Sequence, residues 1–428
     1  MLTRLVALSY FPLFFLSIGA STLSDQVFLR GLPLMPAAVY VVMRLSSGVL
    51  VGDRVRWKVS DGLTIAAFAY VVAYSVLYFP RAFSGTLAIG TLPTLVIHLL
   101  FWHLAYSDPV YRHDRRRFFR DLWGGVFGGF VVGFLLTLQH TGFLLRPGTI
   151  HNLSREGTFV RSDLDVPMLA VGVTLMGIVW VFFAGRMRRA VARAGGLGGV
   201  VNRRAVGVIC LLIGVSSLYL YSRRAPMLAV LGSTFLLLLP PRVGRRVVYA
   251  AVLIPLVPVV WDIVAQILVL VTQNDVVDAI VARNDIRSYE TATNRLAVWL
   301  RALAFIAEVR PQHLWGYGGA PAFILAGSMD WQHVHNAFLQ LFFDAGLIVL
   351  MTAVGLLVWS YYRLNRMMEA GWYPHEVLLI FGYLTAWLVI GAVEPALRAY
   401  SVVHMVFLML VSVTANVYRE YRMAAETS

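Results

Sequence analysis

Residues 330–350, DWQHVHNAFLQLFFDAGLIVL, join a polar segment directly to a long apolar run. His333, His335 and Asn336 stand just before that run. The apolar run continues beyond residue 350 and is longer than the ~20 residues needed to cross a bilayer. Two imidazoles and an amide at this position fit two roles. They can form a polar belt that anchors a helix end, or they can supply a catalytic group at the membrane surface.

The composition of the chain indicates a polytopic membrane protein. Of its 428 residues, 59% are hydrophobic and only 14% are charged, whereas soluble domains have about half and a quarter. Such a chain cannot cover a globular surface with polar groups. The formal charge of +14 is therefore assigned to basic cytoplasmic loops rather than to nucleic-acid binding. A single cysteine, Cys210, excludes a disulfide framework.

Apolar runs of membrane length predict an all-α fold with about twelve transmembrane helices in one membrane domain over residues 1–428. The first run is interpreted as a span and not as a signal peptide, because no convincing small-residue cleavage site follows it. The predicted spans are 5–23, 32–52, 61–80, 86–107, 122–139, 166–185, 205–221, 226–241, 247–271, 336–362, 377–394 and 401–418.

The distribution of Lys and Arg between the loops predicts the orientation. With the N-terminus in the cytoplasm, 22 of these residues fall on the cytoplasmic side and 13 on the other side, five of them in one long loop. Short loops decide orientation, and long ones cross largely regardless of their charge. Both termini are therefore expected in the cytoplasm and the long loop, 272–335, on the opposite face.

This long loop has the composition of a folded segment. Within NRLAVWLRALAFIAEV, residues 294–309, the side chains of Leu296, Trp299, Leu300, Leu303 and Ile306 recur at helical spacing, which predicts an amphipathic helix with one apolar face. We expect Pro311 to end it, and the glycines of PQHLWGYGG, residues 311–319, to form a tight turn. The helix is expected to pack on the membrane surface or over a cavity between spans.

Arginines on the same face point to an anionic ligand. Arg223 and Arg224 lie in a turn between two spans, and Arg295 stands at the start of the loop helix. The planar guanidinium binds phosphate oxygens through paired hydrogen bonds and stays charged at working pH. Taken singly, each arginine is better explained by contacts with lipid headgroups or solvent. Their placement on one face with a histidine pair favours a site.

The pattern SRRAPML at 222–228, NRLAVWLRALAFI at 294–306, PQHLWGYGG at 311–319 and HVHNAFLQLFFDAGLIVL at 333–350 resembles the O-antigen ligase and polymerase superfamily. The shared features are an Arg after Ser at a span start, Arg and Trp four residues apart, a Pro- and Gly-containing turn, and His-Asn at the next span. They cover roughly a third of the chain. Arg224 and Pro226 stand where members often have small residues, which leaves open which arginine of the pair acts.

The resemblance implies glycan transfer at the periplasmic face of the bacterial inner membrane. The donor would be a glycan on undecaprenyl diphosphate, and the acceptor a hydroxyl of the lipid A–core oligosaccharide. Neither a metal nor another cofactor is expected, because the outer loops contain no Asp-x-Asp motif and arginines can stabilise the leaving diphosphate.

The resemblance also implies roles for individual residues. His335, which adjoins Asn336, is the preferred general base, since a neutral imidazole can take a hydroxyl proton. His333 is the second candidate, or an acceptor contact. If both histidines were helical, they would diverge by ~200° and could not share one face. Arg223 and Arg295, with Arg224, are assigned to the diphosphate, and Asn336 to a supporting role.

Two alternatives stay open at this stage. An O-antigen or exopolysaccharide polymerase would use a second lipid-linked glycan as acceptor, with nearly the same chemistry. A lipid-linked sugar transporter belongs to another class. A transporter would be expected to contain internal repeats with broken helices at the membrane midplane. No repeat is evident in this sequence.

Overall fold

The structure is a computed structural model, and it describes residues 2–20, 34–50, 62–82, 86–106, 108–112, 114–140, 165–183, 198–221, 224–238, 298–318, 334, 336–372, 374–394 and 402–427. Within these ranges the ordered elements are helices, and none is a strand. The all-α class predicted from composition is therefore confirmed for the described part of the chain.

Nine described helices precede the long loop. They are α1 (Leu2–Ala20), α2 (Leu34–Leu50), α3 (Gly62–Ala82), α4 (Thr86–Tyr106), the short α5 (Pro109–Arg112), α6 (Arg115–His140), α7 (Asp165–Phe182), α8 (Gly198–Tyr221) and α9 (Arg224–Leu238).

The remaining elements belong to the loop and to the C-terminal third. The described part of the loop helix, α10, covers Val298–Ala307, and a 3-10 turn follows at Pro311–Leu314. The chain then forms α11 (Ala337–Glu369), α12 (Pro374–Val393) and α13 (Val402–Thr427).

These helices coincide with eleven of the twelve predicted spans, and the predicted span 247–271 lies outside the described residues. Among the described residues, four helices are long and apolar enough to cross a membrane: Arg115–Gln139, Arg204–Tyr221, Ala337–Glu369 and His375–Val393. Shorter apolar helices lie at Ser9–Gly19, Leu34–Ser46, Gly62–Tyr78, Thr94–Tyr106, Val166–Phe182, Ala225–Leu238 and Val298–Ala307. The chain is thus a helical membrane protein, while the number of crossings and the orientation stay predictions.

Small residues let the N-terminal helices approach closely. Gly125, Gly129 and Gly133 recur every fourth residue along α6 and face α1. A Cβ atom on Gly129 would lie 2.2 Å from the carbonyl oxygen of Phe15, and one on Gly19 would lie 2.1 Å from the carbonyl oxygen of Gly129. The two backbones are therefore in direct contact, as small residues at four-residue spacing permit between membrane helices.

The helix α11 is interrupted at Gly346, where φ is 86° and ψ is 179°. The predicted span 336–362 thus coincides with this helix, and the break within it was not predicted. The chain forms a short helix from Ala337 up to the break and a long one after it. Only glycine adopts this backbone conformation readily, because a side chain at such φ and ψ values meets the adjacent backbone.

The turn after α10 fills this break. The amide of Tyr317 donates to the carbonyl of Phe343 at 2.6 Å, and the amide of Gly318 donates to the carbonyl of Asp344 at 3.1 Å. Gly316, with φ of 79°, lies so close that a Cβ on it would be 2.5 Å from the amide nitrogen of Gly346. The glycine-rich turn predicted at 311–319 is therefore confirmed for its described residues, and it binds the loop to α11.

We expect Gly346→Ala to destabilise the protein by about 1–3 kcal/mol, the usual strain of a non-glycine residue in this conformation, and further through contact with Leu314. An added Cβ would lie 2.3 Å from the Leu314 carbonyl oxygen. Gly355→Ala in the same helix is the matched control, because a Cβ there meets nothing within 4 Å. That change should be neutral or stabilise by up to about 1 kcal/mol. The thermal unfolding midpoint in detergent measures both. Equal midpoints for the two variants would contradict the role of Gly346.

Candidate functional site

Asn336 is the N-cap of α11 and ties the start of that helix to α12. Its side-chain oxygen accepts hydrogen bonds from the amides of Phe338 and Leu339, both at 3.0 Å. Its side-chain nitrogen donates to the carbonyl of Ala392 in α12 at 2.8 Å. An N-cap amide that accepts from two backbone donors fixes the first helical turn, and the third bond fixes that turn relative to the neighbouring helix.

Val334, two residues earlier, is held on both sides of its backbone. Its carbonyl accepts a hydrogen bond from Nε1 of Trp299 in α10 at 2.7 Å. Its amide donates to Oε1 of Gln340 at 3.1 Å, and its side chain is completely buried. Three helices therefore hold the residues on either side of position 335, namely α10, α11 and α12.

Gln340 and Asp344 form a buried polar pair one helical turn apart in α11. Nε2 of Gln340 donates to Oδ1 of Asp344 at 2.7 Å. Both side chains are at least 97% buried. Burying a carboxyl group inside an apolar helix is costly unless other groups bind it. Here the amide of Gln340 binds it.

The loop helix α10 has two apolar faces. Val298, Trp299, Ala302 and Phe305 are buried against the rest of the protein, whereas Leu300 and Leu303 are 58% and 52% exposed. The predicted apolar face is therefore divided: Trp299 packs against the protein, whereas Leu300 and Leu303 are exposed. Spacing alone counts apolar positions and cannot tell which of them meet protein.

The end of α10 also differs from the prediction. The helix ends at Ala307, and Pro311 begins the 3-10 turn that follows. Proline is favoured at the first position of a helix because it lacks an amide hydrogen and its φ is already suitable. Pro311 therefore starts an element and does not terminate one.

A further histidine, His313, lies buried in this turn between aromatic rings. Its ring centroid is 5.3 Å from that of Phe305 and 5.3 Å from that of Phe342. Burial, and then the positive charge of Arg310, lower the pKa of His313 below its ordinary value. The imidazole is therefore neutral at neutral pH. Analysis of the sequence did not single out His313, and its apolar neighbours give it a packing role in the turn.

The packing of α9 on α12 places the start of α9 near Asn336. A Cβ on Gly232 would meet Val389 at 3.3 Å, and one on Gly382 would meet Leu237 at 3.2 Å. The two helices are thus antiparallel, so the Arg224 end of α9 lies beside the C-terminal end of α12. Ala392, at that same end, accepts the hydrogen bond from Asn336.

The site residues predicted from the sequence fall mostly outside the described residues. Arg223, Arg295, His333 and His335 lie there, and Arg224 is described only as the first backbone position of α9. Asn336 is described in full, and the structure gives it the capping bonds above.

The position of the helix start also bears on the two histidines. Asn336 has an extended backbone, with φ of −149° and ψ of 123°, and α11 begins only after it. The angular separation expected inside a helix therefore does not distinguish His333 from His335.

Gln340 and Asp344 were missed in the sequence, although two signals could have found them. They are polar residues four apart in an otherwise apolar run, which places them on one helix face. An acid within a span is also a functional hypothesis by default. Their link to Val334 could not have been found, because it depends on the conformation of the segment before the helix.

Comparison with known proteins gives one family. Residues 206–354 match a protein-family model described as O-Antigen ligase. No curated protein matches the chain. The matched region runs from α8 to the middle of α11 and includes the four motifs on which the sequence resemblance rests. The match over residues 206–354 thus supports the resemblance to the O-antigen ligase superfamily that the motifs indicate.

Proposed function

We propose that the protein is a glycosyltransferase that joins O-antigen polysaccharide to the lipid A–core oligosaccharide at the periplasmic face of the inner membrane. The observation that carries this proposal is the family match over residues 206–354. Every residue assigned to the reaction from the sequence lies inside that region. The donor is the glycan on undecaprenyl diphosphate.

The reaction replaces one bond to the anomeric carbon of the donor glycan with another. The acceptor hydroxyl oxygen attacks that carbon, and the bond from the carbon to the diphosphate oxygen breaks. His335 takes the hydroxyl proton, which raises the nucleophilicity of the oxygen as the new bond forms. Undecaprenyl diphosphate leaves with the bonding electron pair.

Arg223 and Arg295 stabilise the charge that grows on the leaving diphosphate, and Arg224 adds to the positive field. Preorganised donors aimed at developing charge are worth several kcal/mol each in a site shielded from water. Arginine suits this role because its fork binds two phosphate oxygens at once. With these residues the transfer proceeds without a metal.

The described geometry supports a built site at this end of the bundle. Val334 and Asn336 are anchored on either side of His335, through Trp299, Gln340 and Ala392. The N-terminal end of α9, at Arg224, lies beside the end of α12 that contains Ala392. The elements that precede or follow the general base and the arginine turn therefore meet at this end of α12, although the two sites are about 110 residues apart in the chain.

We expect a strain lacking the protein to make bare lipid A–core and to retain polymeric O-antigen on its lipid carrier, because polymerisation precedes the transfer. Silver-stained lipopolysaccharide gels and extraction of the lipid-linked glycan measure the two species. Re-expression of the full chain is the control and should restore the ladder. Core that carries a single repeat unit in the deletion strain would contradict a ligase and indicate a polymerase.

We expect Arg223→Ala and Arg295→Ala to lower the rate of transfer by at least 10²-fold, since loss of one such donor costs about 10²–10³. Lysine at either position should restore only part of the rate, because it supplies charge without the fork. Transfer in membrane vesicles measures this. The matched control is Arg310→Ala, an exposed arginine of the same loop that pairs with Glu308. Normal rates in both Arg223→Ala and Arg295→Ala would place the diphosphate site elsewhere.

We expect His335→Ala to slow transfer by ~10²–10⁴-fold, the usual contribution of a positioned base, and His333→Ala to slow it less. The active imidazole is neutral, so the wild-type rate should fall as acid protonates it.

The variant His335→Trp separates catalysis from membrane anchoring. An anchoring role needs only an amphipathic ring at headgroup depth, and tryptophan supplies one. The rates of His335→Ala and His335→Trp are compared at equal amounts of membrane-inserted protein. Restoration of transfer by tryptophan would refute the catalytic role.

A further inference from the structure

The side chain of Gln340 links a buried acid to the peptide just before His335. Oε1 of Gln340 accepts from the Val334 amide at 3.1 Å, while Nε2 donates to Oδ1 of Asp344 at 2.7 Å. The pair thus reaches beyond its own helix, to the segment that precedes it.

The chemistry of the three groups fixes which atom donates in each of these two hydrogen bonds. A backbone amide can only donate, so the carbonyl end of Gln340 must face Val334. The NH₂ end then faces Asp344, whose oxygen accepts. With an apolar residue at 344, the amide of Gln340 would lose the partner that holds it in this orientation. Asp344 therefore acts on Val334 through Gln340.

The segment is also held by hydrogen bonds at its other described groups. The carbonyl of Val334 is bound by Trp299, and Asn336 is bound to the first turn of α11 and to Ala392. The amide of Val334 is thus the contact through which a change at Gln340 would move the backbone next to His335.

We propose that Gln340 and Asp344 are positioning residues that set the placement of the His335 imidazole against the acceptor hydroxyl. The proposal rests on the assignment of His335 as general base. Gln340 holds the Val334 peptide directly, and Asp344 keeps the amide of Gln340 turned toward it. Neither side chain touches the reacting atoms.

Positioning predicts a particular kinetic signature. A displacement of ~1 Å in a catalytic group can cost ~10²-fold in rate even when the change lies outside the chemistry. The contacts that bind the donor belong to the arginines. The loss should therefore appear in kcat, with the KM for the donor nearly unchanged.

The test uses the full chain in nanodiscs, with undecaprenyl diphosphate-linked glycan as donor and purified lipid A–core as acceptor. We expect Gln340→Met, which removes the acceptor for Val334 at similar volume, to lower kcat by ~10–10²-fold while the KM for the donor changes by less than about 3-fold. Gln340→Asn, which stays polar but is one methylene shorter, should lower kcat in the same way.

Two substitutions at Asp344 separate positioning from simple packing. Asp344→Asn keeps an oxygen that can accept from Gln340 and should retain kcat within about 3-fold. Asp344→Leu removes the acceptor and should lose as much as Gln340→Met. The matched control in α11 is Tyr361→Phe, which deletes a buried hydrogen bond to Thr385 of 2.8 Å. It should lower the thermal midpoint and leave kcat unchanged.

The results separate this proposal from the proposed function. Wild-type kcat in the folded Gln340 variants, in the same assay in which His335→Ala is inactive, overturns the positioning role and leaves His335 as the base. Equal kcat for Asp344→Asn and Asp344→Leu overturns the part assigned to Asp344. Should Gln340→Met not fold, kcat of Gln340→Asn decides alone. Full activity of His335→Ala overturns the proposed function itself.

Discussion

The interruption of α11 at Gly346 is the constraint on which the described site depends. A helix that breaks inside a membrane protein releases backbone carbonyls, and each one left without a donor in an apolar surrounding costs several kcal/mol. Here the carbonyls of Phe343 and Asp344 are bound by the amides of Tyr317 and Gly318. The loop turn and the broken helix therefore require one another. This mutual requirement attaches the described part of the loop to α11.

The anchoring gives the loop and the spans a shared role in the proposed chemistry. Irregular backbone at membrane depth is tolerated where protein buries it, and here it is buried by the aromatic cluster of Phe305, His313 and Phe342. This cluster also holds α10 in place, from which Trp299 reaches Val334. A base that must remove a proton within hydrogen-bond reach needs a rigid support of this kind.

Hydropathy predicted most of the helices because the bilayer fixes their length and composition. Eleven predicted spans coincide with described helices, and residues 206–354 match the model of the family that the motifs resembled. The break at Gly346 was not predicted, since a lone glycine in an apolar run is common and a break shows only with its partner at Gly316. The division of the apolar surface of α10 into buried and exposed parts was not predicted, because periodicity does not reveal which side meets protein. The bond from Asn336 to Ala392 links positions 56 residues apart, and no local pattern encodes such a pairing.

The bond between Asn336 and Ala392 also has a consequence for biosynthesis. A membrane protein is inserted from its N-terminus as it leaves the ribosome, so the start of α11 is synthesised well before the end of α12. Until α12 has entered the bilayer and packed, the side-chain nitrogen of Asn336 lacks its acceptor and the segment around His335 lacks one of its supports. A nascent chain that carries every motif of the family is therefore still unfinished. The support that Asn336 gives to the proposed site is complete only when α12 is in place.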